Sequence, residues 1–164
     1  SDFFRASLNS GKDIVSLEGE CRHITSYLQI QQVRYQDILT YDVDIPEEIA
    51  NCKIPKITLQ PLVENALYHG IKNKRGKGRI VVTGRREKDK CVIRVEDNGI
   101  GMTKERLNQV RGGLTTKIED SNDFYGLYNV NERIRLKFGE EYGLSIDSVL
   151  QEGTCVEVWL PWES

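Results

Sequence analysis

The sequence predicts an α+β fold: a two-layer α/β sandwich with a mixed, mostly antiparallel sheet of about five strands, helices on one face, and a helix before the sheet. Three observations lead to this prediction. Several short segments alternate apolar and polar residues, which is typical of half-buried strands. Other segments place an apolar residue at every third or fourth position, which is typical of helices. Two pairs of strand-like segments are joined by only a few residues, so their strands are expected to pair antiparallel.

Residues 1–39 are predicted to form an N-terminal region dominated by one helix. Ser16 is placed to cap the start of this helix. The apolar stripe along the helix has two interpretations: it covers the core of the domain that follows, or it packs on a preceding helical bundle that this chain mostly lacks. The stripe consists of Leu17, Cys21, Ile24 and Leu28, at helical spacing.

Residues 40–164 are predicted to form the main domain. Pro46 ends its first strand, and Pro61 is tolerated because it lies in the first turn of a helix. Residues 111–125, rich in Gly, Thr, Ser, Asp and Asn, are predicted to form a lid or a binding loop, because a structureless loop of that length is uncommon in a compact domain. The predicted elements are, in order, strand 40–45, helix 58–71, strands 79–86 and 90–97, helices 104–110 and 126–138, and strands 144–149 and 154–160.

The composition is that of an ordinary globular chain. The 164 residues suffice for one domain, and 38% are hydrophobic and 29% charged. The formal net charge of −2 offers no basis for binding nucleic acid or a membrane surface. No apolar run approaches the roughly 18 residues of a membrane-spanning helix. The four cysteines are scattered, which favours buried, reduced thiols in a cytosolic setting.

The helix predicted at 58–71 carries polar residues suited to a magnesium-bound phosphate. Glu64, Asn65, His69 and Lys72 can share one broad face of a helix. The side-chain oxygen of Asn65 is a hard ligand of the kind that magnesium accepts, and magnesium needs few protein ligands because it keeps several waters. Lys72, one turn further on, could reach a phosphate as a point charge.

A second polar group follows the strand predicted at 90–97. The Asp97 carboxylate can accept a hydrogen bond from an exocyclic amine such as that of adenine, and Gly99 and Gly101 let the backbone approach a ring or a phosphate closely. Each residue taken singly has an ordinary explanation, since Asp-Asn-Gly is most often a turn and a lone helical histidine is most often structural. The order of the two groups, helix first and then strand and loop, predicts a pocket for a magnesium-bound nucleotide.

Four motifs in order resemble the ATP site of the GHKL superfamily, the Bergerat-fold proteins that include gyrase, the ninety-kilodalton heat-shock chaperones, histidine kinases and MutL. They are Glu64-Asn65-Ala66 with His69-Gly70, Asp97-Asn98-Gly99-Ile100-Gly101-Met102, Gly126-Leu127-Tyr128-Asn129-Val130, and Gly153-Thr154. Further segments are similar to the LytS/YesM-type sensor histidine kinases, and the resemblance covers nearly the whole chain. These segments are Tyr27-Leu28-Gln29-Ile30-Gln31, Leu59-Gln60-Pro61-Leu62-Val63-Glu64-Asn65 and Asn129-Val130-Asn131-Glu132-Arg133-Ile134.

The resemblance implies a role for each matching residue, with ATP and Mg²⁺ as the cofactors. Asn65 would bind magnesium, and Glu64 beside it would be the catalytic residue at the phosphate end. Asp97 would accept from the adenine amino group, and Thr154 would hold a water beside it. His69 and Lys72 would contact ribose or phosphates. The full set of implied ATP-binding residues is Asn65, His69, Lys72, Asp97, Gly99, Gly101, Met102, Gly126, Leu127 and Thr154.

The function implied by the resemblance is that of the C-terminal catalytic ATP-binding domain of a protein-histidine kinase in a two-component system. Residues 1–39 would be the end of the dimerisation and phosphoacceptor region, without the acceptor histidine, so this chain alone would not autophosphorylate efficiently. The partners implied are that upstream region, a response regulator and a second copy in the full-length protein, with no nucleic acid and no direct membrane contact. The domain would be the cytoplasmic portion of an integral membrane sensor.

Two departures from the family pattern keep alternatives open. Phe124 stands where the third motif usually has a glycine, and His23 lies in a later helix than the usual acceptor, so we interpret His23 as structural or solvent-facing. The alternatives are a hydrolytic ATPase of the gyrase or chaperone type, a serine-protein kinase of the anti-sigma type, and a degenerate domain that binds no nucleotide and serves as a docking scaffold.

Overall fold

The computed structural model describes residues 13–36, 38–71, 76–116 and 125–162. In chain order the elements are β1 (Ile14–Ser16), α1 (Leu17–Arg34), β2 (Leu39–Asp44), a short 3₁₀ turn (Glu47–Ile49), β3 (Lys53–Pro55), α2 (Leu59–Asn65) continued by a π-helical segment (Ala66–Ile71), β4 (Gly78–Glu87), β5 (Lys90–Asp97), α3 (Lys104–Gly113), α4 (Tyr125–Phe138), β6 (Gly143–Val149) and β7 (Gly153–Pro161). No helix in the described ranges is both long enough and apolar enough to cross a bilayer.

The main sheet has five strands in the order β2-β4-β5-β7-β6. Strand β2 runs parallel to β4, and every other neighbouring pair is antiparallel. The predicted α+β sandwich, with its mixed and mostly antiparallel sheet, is therefore confirmed. The antiparallel pair β1–β3 was not predicted, because three-residue strands leave no periodic pattern in a sequence. Helix α3 also extends to Gly113, beyond the predicted end at 110, and residues 117–124 of the predicted loop lie outside the described part of the chain.

The core lies between one face of the sheet and the helices. Alternate residues of the central strands point into it and are fully or almost fully buried, among them Ile80, Val82, Ile93, Val95 and Val158. The opposite face carries charged residues, and Arg85 donates to Glu157 of β7 across it at 3.0 Å. One sheet face is therefore covered by helices, as predicted.

Helix α1 belongs to this core. The Ser16 hydroxyl accepts from the Gly19 N–H at 3.1 Å and caps the helix, as predicted. Leu17, Ile24 and Leu28 are 0% exposed and pack in the same cluster as the sheet. The first interpretation of the apolar stripe, that it covers the core of the following domain, is therefore the one that the structure shows.

The four cysteines are free thiols that are wholly or partly shielded from solvent. Cys21, Cys52 and Cys91 are buried and Cys155 is half-buried, and all four are free. Burial raises the pKa of the Cys21 and Cys155 thiols to about 12, and it raises the pKa of Cys91 as well. Because the thiolate is the reactive form, these thiols behave as small apolar side chains at neutral pH. The predicted reduced thiols are thus consistent with the structure, with Cys155 less buried than expected.

Candidate nucleotide-binding site

The helix that carries the first predicted group changes its winding at the motif. Residues Leu59–Asn65 are α-helical, and Ala66–Ile71 continue as a π-helix with i→i+5 hydrogen bonds. Isolated π-helical segments recur at functional sites. Together the two parts of the helix present Leu62, Asn65 and His69 to a cleft beside the sheet. The prediction of a helix at 58–71 is confirmed, although its second half is wound differently from the expected α-helix.

Two glycines let this helix approach the loop after β5. A Cβ added to Gly70 would lie 2.6 Å from Oδ1 of Asp97, and one added to Gly99 would collide with the backbone of Gly70. A Cβ at either position therefore requires the helix or the loop to move. The glycines bring the Asp97 carboxylate against the helix, so the two predicted polar groups meet in one cleft.

Asp97 is oriented by its own loop. It ends β5, where it pairs with Thr154 of β7 and with Ile80 of β4. Its Oδ1 accepts a hydrogen bond from the Gly99 N–H at 2.9 Å, which is the local pattern of an Asx turn. The carboxylate is therefore held at the C-terminal end of the central strand, on the wall of the cleft.

Ser148 is a residue of the site that the sequence analysis missed. Its hydroxyl donates to the Gly153 carbonyl at 2.9 Å and accepts from the Met102 N–H at 2.9 Å. It also lies 2.9 Å from Oγ1 of Thr154. Because the single proton of Ser148 goes to Gly153, the Thr154 hydroxyl donates to Ser148 and keeps its lone pairs as acceptors. Its position in the sequence could have indicated this role, because Ser148 follows Leu144 and Ile146 at the two-residue spacing of a strand and so points inward with them from β6.

The cleft joins apolar walls to a few polar groups. The lining residues are Leu62, Asn65, Ala66, His69, Gly70, Val95, Asp97, Gly101, Met102, Thr154 and Val156. Valine, leucine, alanine and methionine side chains suit a flat heterocycle, and the few polar groups can fix its orientation. Six predicted site residues are thus brought together: Asn65, His69, Asp97, Gly101, Met102 and Thr154.

The other predicted site residues lie elsewhere. Gly99 packs beneath the cleft against Gly70, Gly126 faces Pro61, and Leu127 is fully buried in the core. Lys72, like Phe124, lies outside the described residues.

Glu64 does not line the cleft but lies on the side of the helix towards Tyr27 of α1. Burial first, and then the Glu64 carboxylate, raises the pKa of Tyr27 to about 12. His23, also on α1, is exposed and hydrogen-bonded to Gln60 at 2.5 Å, which agrees with the structural interpretation given to it. Neither residue therefore adds to the wall of the cleft.

The protein ligands available to a metal ion are few. Among the described residues, no three His, Cys, Asp or Glu side chains form a group able to hold a metal ion. Magnesium bound to a nucleotide does not require such a group, because phosphate oxygens and waters supply most of its ligands. The Asn65 amide oxygen, on the cleft wall, fits the role of a single protein ligand.

A mixed sheet with helices on one face, and a cleft between a strand-end aspartate and a helical asparagine, define a nucleotide-binding α/β sandwich. Residues 55–164 match the family described as "Histidine kinase-, DNA gyrase B-, and HSP90-like ATPase", and residues 1–39 match the family "Histidine kinase". The chain therefore belongs to the histidine kinase-, gyrase B- and HSP90-like ATPase family.

Relatives of known name agree with this assignment. The chain is 37% identical over 158 residues to the sensor histidine kinase YesM of Bacillus subtilis, covering 96% of this chain and 26% of that protein. It is 33% identical over 162 residues to the sensor histidine kinase BtsS of Escherichia coli, covering 99% and 26%. It is 34% identical over 165 residues to the sensor protein LytS of Staphylococcus saprophyticus, covering 100% and 27%. The chain thus spans about a quarter of the length of these relatives.

Solved structures confirm the fold. The catalytic domain of the histidine kinase ThkA superposes with a TM-score of 0.67 at 11% identity, covering 91% of this chain and 96% of that one. The histidine kinase domain of the blue-light activated histidine kinase from Erythrobacter litoralis superposes with a TM-score of 0.62 at 15% identity, covering 90% and 62%.

Proposed function

We propose that this domain binds magnesium–ATP and presents the γ-phosphate to a histidine in an upstream helical region of the same protein. The phosphoryl group would then pass to an aspartate of a response regulator, in a dimeric membrane sensor whose catalytic part lies in the cytoplasm. One observation carries the proposal: Asp97 and Asn65, the adenine and magnesium residues implied by the family pattern, line the same cleft.

The adenine end rests on Asp97 and Thr154. The Asp97 carboxylate accepts from the exocyclic amine, and Val95, Val156 and Met102 enclose the ring faces. Thr154, which donates to Ser148, offers lone pairs to a bridging water. Since the carboxylate is already oriented by the Gly99 N–H, little ordering is needed on binding.

The phosphate end rests on Asn65 and His69, with Glu64 and Lys72 as the further residues implied there. Magnesium, when bound, neutralises phosphate charge in the transition state. Asn65 holds the metal-bound phosphates in place, and His69 hydrogen-bonds ribose or phosphate. The acceptor nitrogen attacks the γ-phosphorus in line, the bond to the β–γ bridging oxygen breaks, and ADP leaves. The contribution of the domain is positioning and charge neutralisation.

Calorimetric titration with a non-hydrolysable ATP analogue tests the nucleotide site. Saturable binding that is tighter with magnesium than with a chelator is expected for the unmodified chain. Asn65→Ala is expected to remove most of the magnesium-dependent gain, about tenfold in affinity, because the metal loses its protein ligand. Asn108→Ala, at an exposed position of α3 outside the four motifs, serves as the matched control and is expected to bind like the unmodified chain.

Phosphoryl transfer is tested by incubating the chain with ATP labelled at the γ-phosphate. Little labelled protein is expected, since the only two histidines are His23, bonded to Gln60, and His69, on the cleft wall. Efficient acid-labile labelling that disappears in His23→Gln would overturn the assignment of the acceptor to another segment. Acid-stable label on a protein serine would indicate the anti-sigma-type kinase, and rapid release of phosphate the hydrolytic ATPase.

A further inference from the structure

The turn that precedes α2 holds an unfavourable backbone conformation. Ile57 has a φ of 60°, in the left-handed region, although its side chain is β-branched and 46% exposed. A β-branched residue at positive φ is a genuine outlier, and such conformations persist only where the surrounding structure holds them in place. The contacts to this turn therefore hold its backbone in the unfavourable conformation.

One of these contacts comes from α1. Glu20 is only 3% exposed, and its Oε1 accepts from the Ile57 N–H at 2.9 Å. Its Oε2 accepts from the N–H groups of Thr58 at 3.0 Å and Leu59 at 3.2 Å. The Thr58 side chain does not cap α2, because its hydroxyl donates to the Pro55 carbonyl at 2.6 Å. The N–H groups of the turn and of the first residue of α2 are thus satisfied by a carboxylate from another helix.

The second contact comes from α4. Nη2 of Arg133 donates to the carbonyls of Lys56 at 3.0 Å and Ile57 at 2.8 Å. Glu20 therefore accepts hydrogen bonds from the N–H groups of the turn, and Arg133 donates hydrogen bonds to its carbonyls. We refer to Glu20, Arg133 and the turn Lys56–Leu59 between them as the helix-start clamp.

The clamp determines where α2 begins and so where Asn65 points. Asn65 lies six residues after Leu59 on the same helix, about 9 Å along its axis. A change of one residue in the starting point would rotate every later side chain by about 100° around the axis. The Asp97 end of the cleft depends less on the start of α2, because Asp97 is held by its pairing with β7 and by the Gly99 N–H and packs against the helix further on, at Gly70.

We propose that Glu20 is a positioning residue for the magnesium and phosphate end of the cleft. It acts through the start of α2 and touches no ligand. Through Glu20, the position of α1 is coupled to that of Asn65, and the adenine end is affected less. This inference rests on the proposed nucleotide-binding function, which it deepens.

The test compares two ligands on two matched variants. Glu20→Gln keeps the shape of the side chain, but it removes the charge and turns an NH₂ group towards backbone donors. Affinity is measured for a non-hydrolysable ATP analogue with magnesium and for adenosine without it. Glu20→Gln is expected to weaken binding of the magnesium-bound analogue about tenfold and binding of adenosine less than about twofold. Glu18→Gln, an exposed glutamate on the same helix, is expected to change neither.

Arg133 supplies a second variant in case Glu20→Gln does not fold. Its side chain is exposed, so Arg133→Gln is expected to fold and to weaken magnesium–analogue binding about threefold without weakening adenosine binding. Arg135→Gln, two residues further along α4 and close to Glu140 instead, is the matched control.

Two outcomes would overturn the proposal: unchanged affinity for both ligands in the clamp variants, or an equal loss for both, which would mark general destabilisation. If the unmodified chain binds neither ligand, the proposed function fails by itself. In that case the NMR resonances of the Asn65 side-chain amide test the role of the clamp, because they report the position of Asn65 in the absence of a ligand. A shift in Glu20→Gln that is absent in Glu18→Gln supports the proposal, and unchanged resonances reject it.

Discussion

Asp97→Asn is expected to lower the affinity for a magnesium-bound ATP analogue about 100-fold. The substitution keeps an oxygen that can accept from the Gly99 N–H, so the loop is expected to keep its conformation. It replaces the other oxygen by an NH₂ group, which would face the adenine amine donor to donor. A lost charge-assisted hydrogen bond plus an unsatisfied donor amounts to about 2–3 kcal/mol, which corresponds to roughly 100-fold.

The measurement is calorimetric titration at a temperature at which both proteins are folded. Asp89→Asn, in the exposed turn between β4 and β5, is the control for the change in net charge and is expected to bind normally. Equal binding by Asp97→Asn and the unmodified chain would show that this cleft does not recognise adenine in the manner proposed. Absence of binding by the unmodified chain would favour the alternative of a docking scaffold.

Gly70→Ala is expected to abolish measurable nucleotide binding and to destabilise the fold by about 1–3 kcal/mol. The added methyl group would stand 2.6 Å from Oδ1 and 3.0 Å from Oδ2 of Asp97. Either the carboxylate turns away or the π-helical segment shifts, and both changes alter the cleft. Urea denaturation measures the loss of stability, and titration with the ATP analogue measures the loss of binding.

Gly112→Ala is the matched control for this substitution. Gly112 lies in helix α3, and a Cβ added there meets nothing within 4 Å. The control is expected to bind nucleotide normally and to be more stable by about 0.5–1 kcal/mol, because alanine loses less backbone entropy than glycine in a helix. Undiminished binding by Gly70→Ala would contradict the close packing of helix and loop on which the site depends.

The helices and long strands of the main domain could be predicted because their signals are local. Strand β5 alternates over eight residues, and its observed bounds, Lys90–Asp97, are the predicted ones. The residues facing the cleft were also accessible from the sequence, since Asn65 and Asp97 belong to short motifs with a characteristic order. The placement of Glu64, Gly126 and Leu127 away from the cleft wall was not accessible, because a motif names residues without giving the direction of each side chain.

The sequence by itself determined the α+β class, the order of the long helices and strands of the main domain, and several of the polar residues that meet around the cleft. Only the tertiary structure decided how the helix that carries Asn65 is started and wound. Glu20 contacts an N–H group 38 residues away, and Arg133 contacts a carbonyl 76 residues away. No periodicity along the chain encodes such a pair, because its energy appears only after the helices have packed on the sheet. The π-helical turn and the Ser148 network depend on the same kind of contact, between segments that the fold brings together.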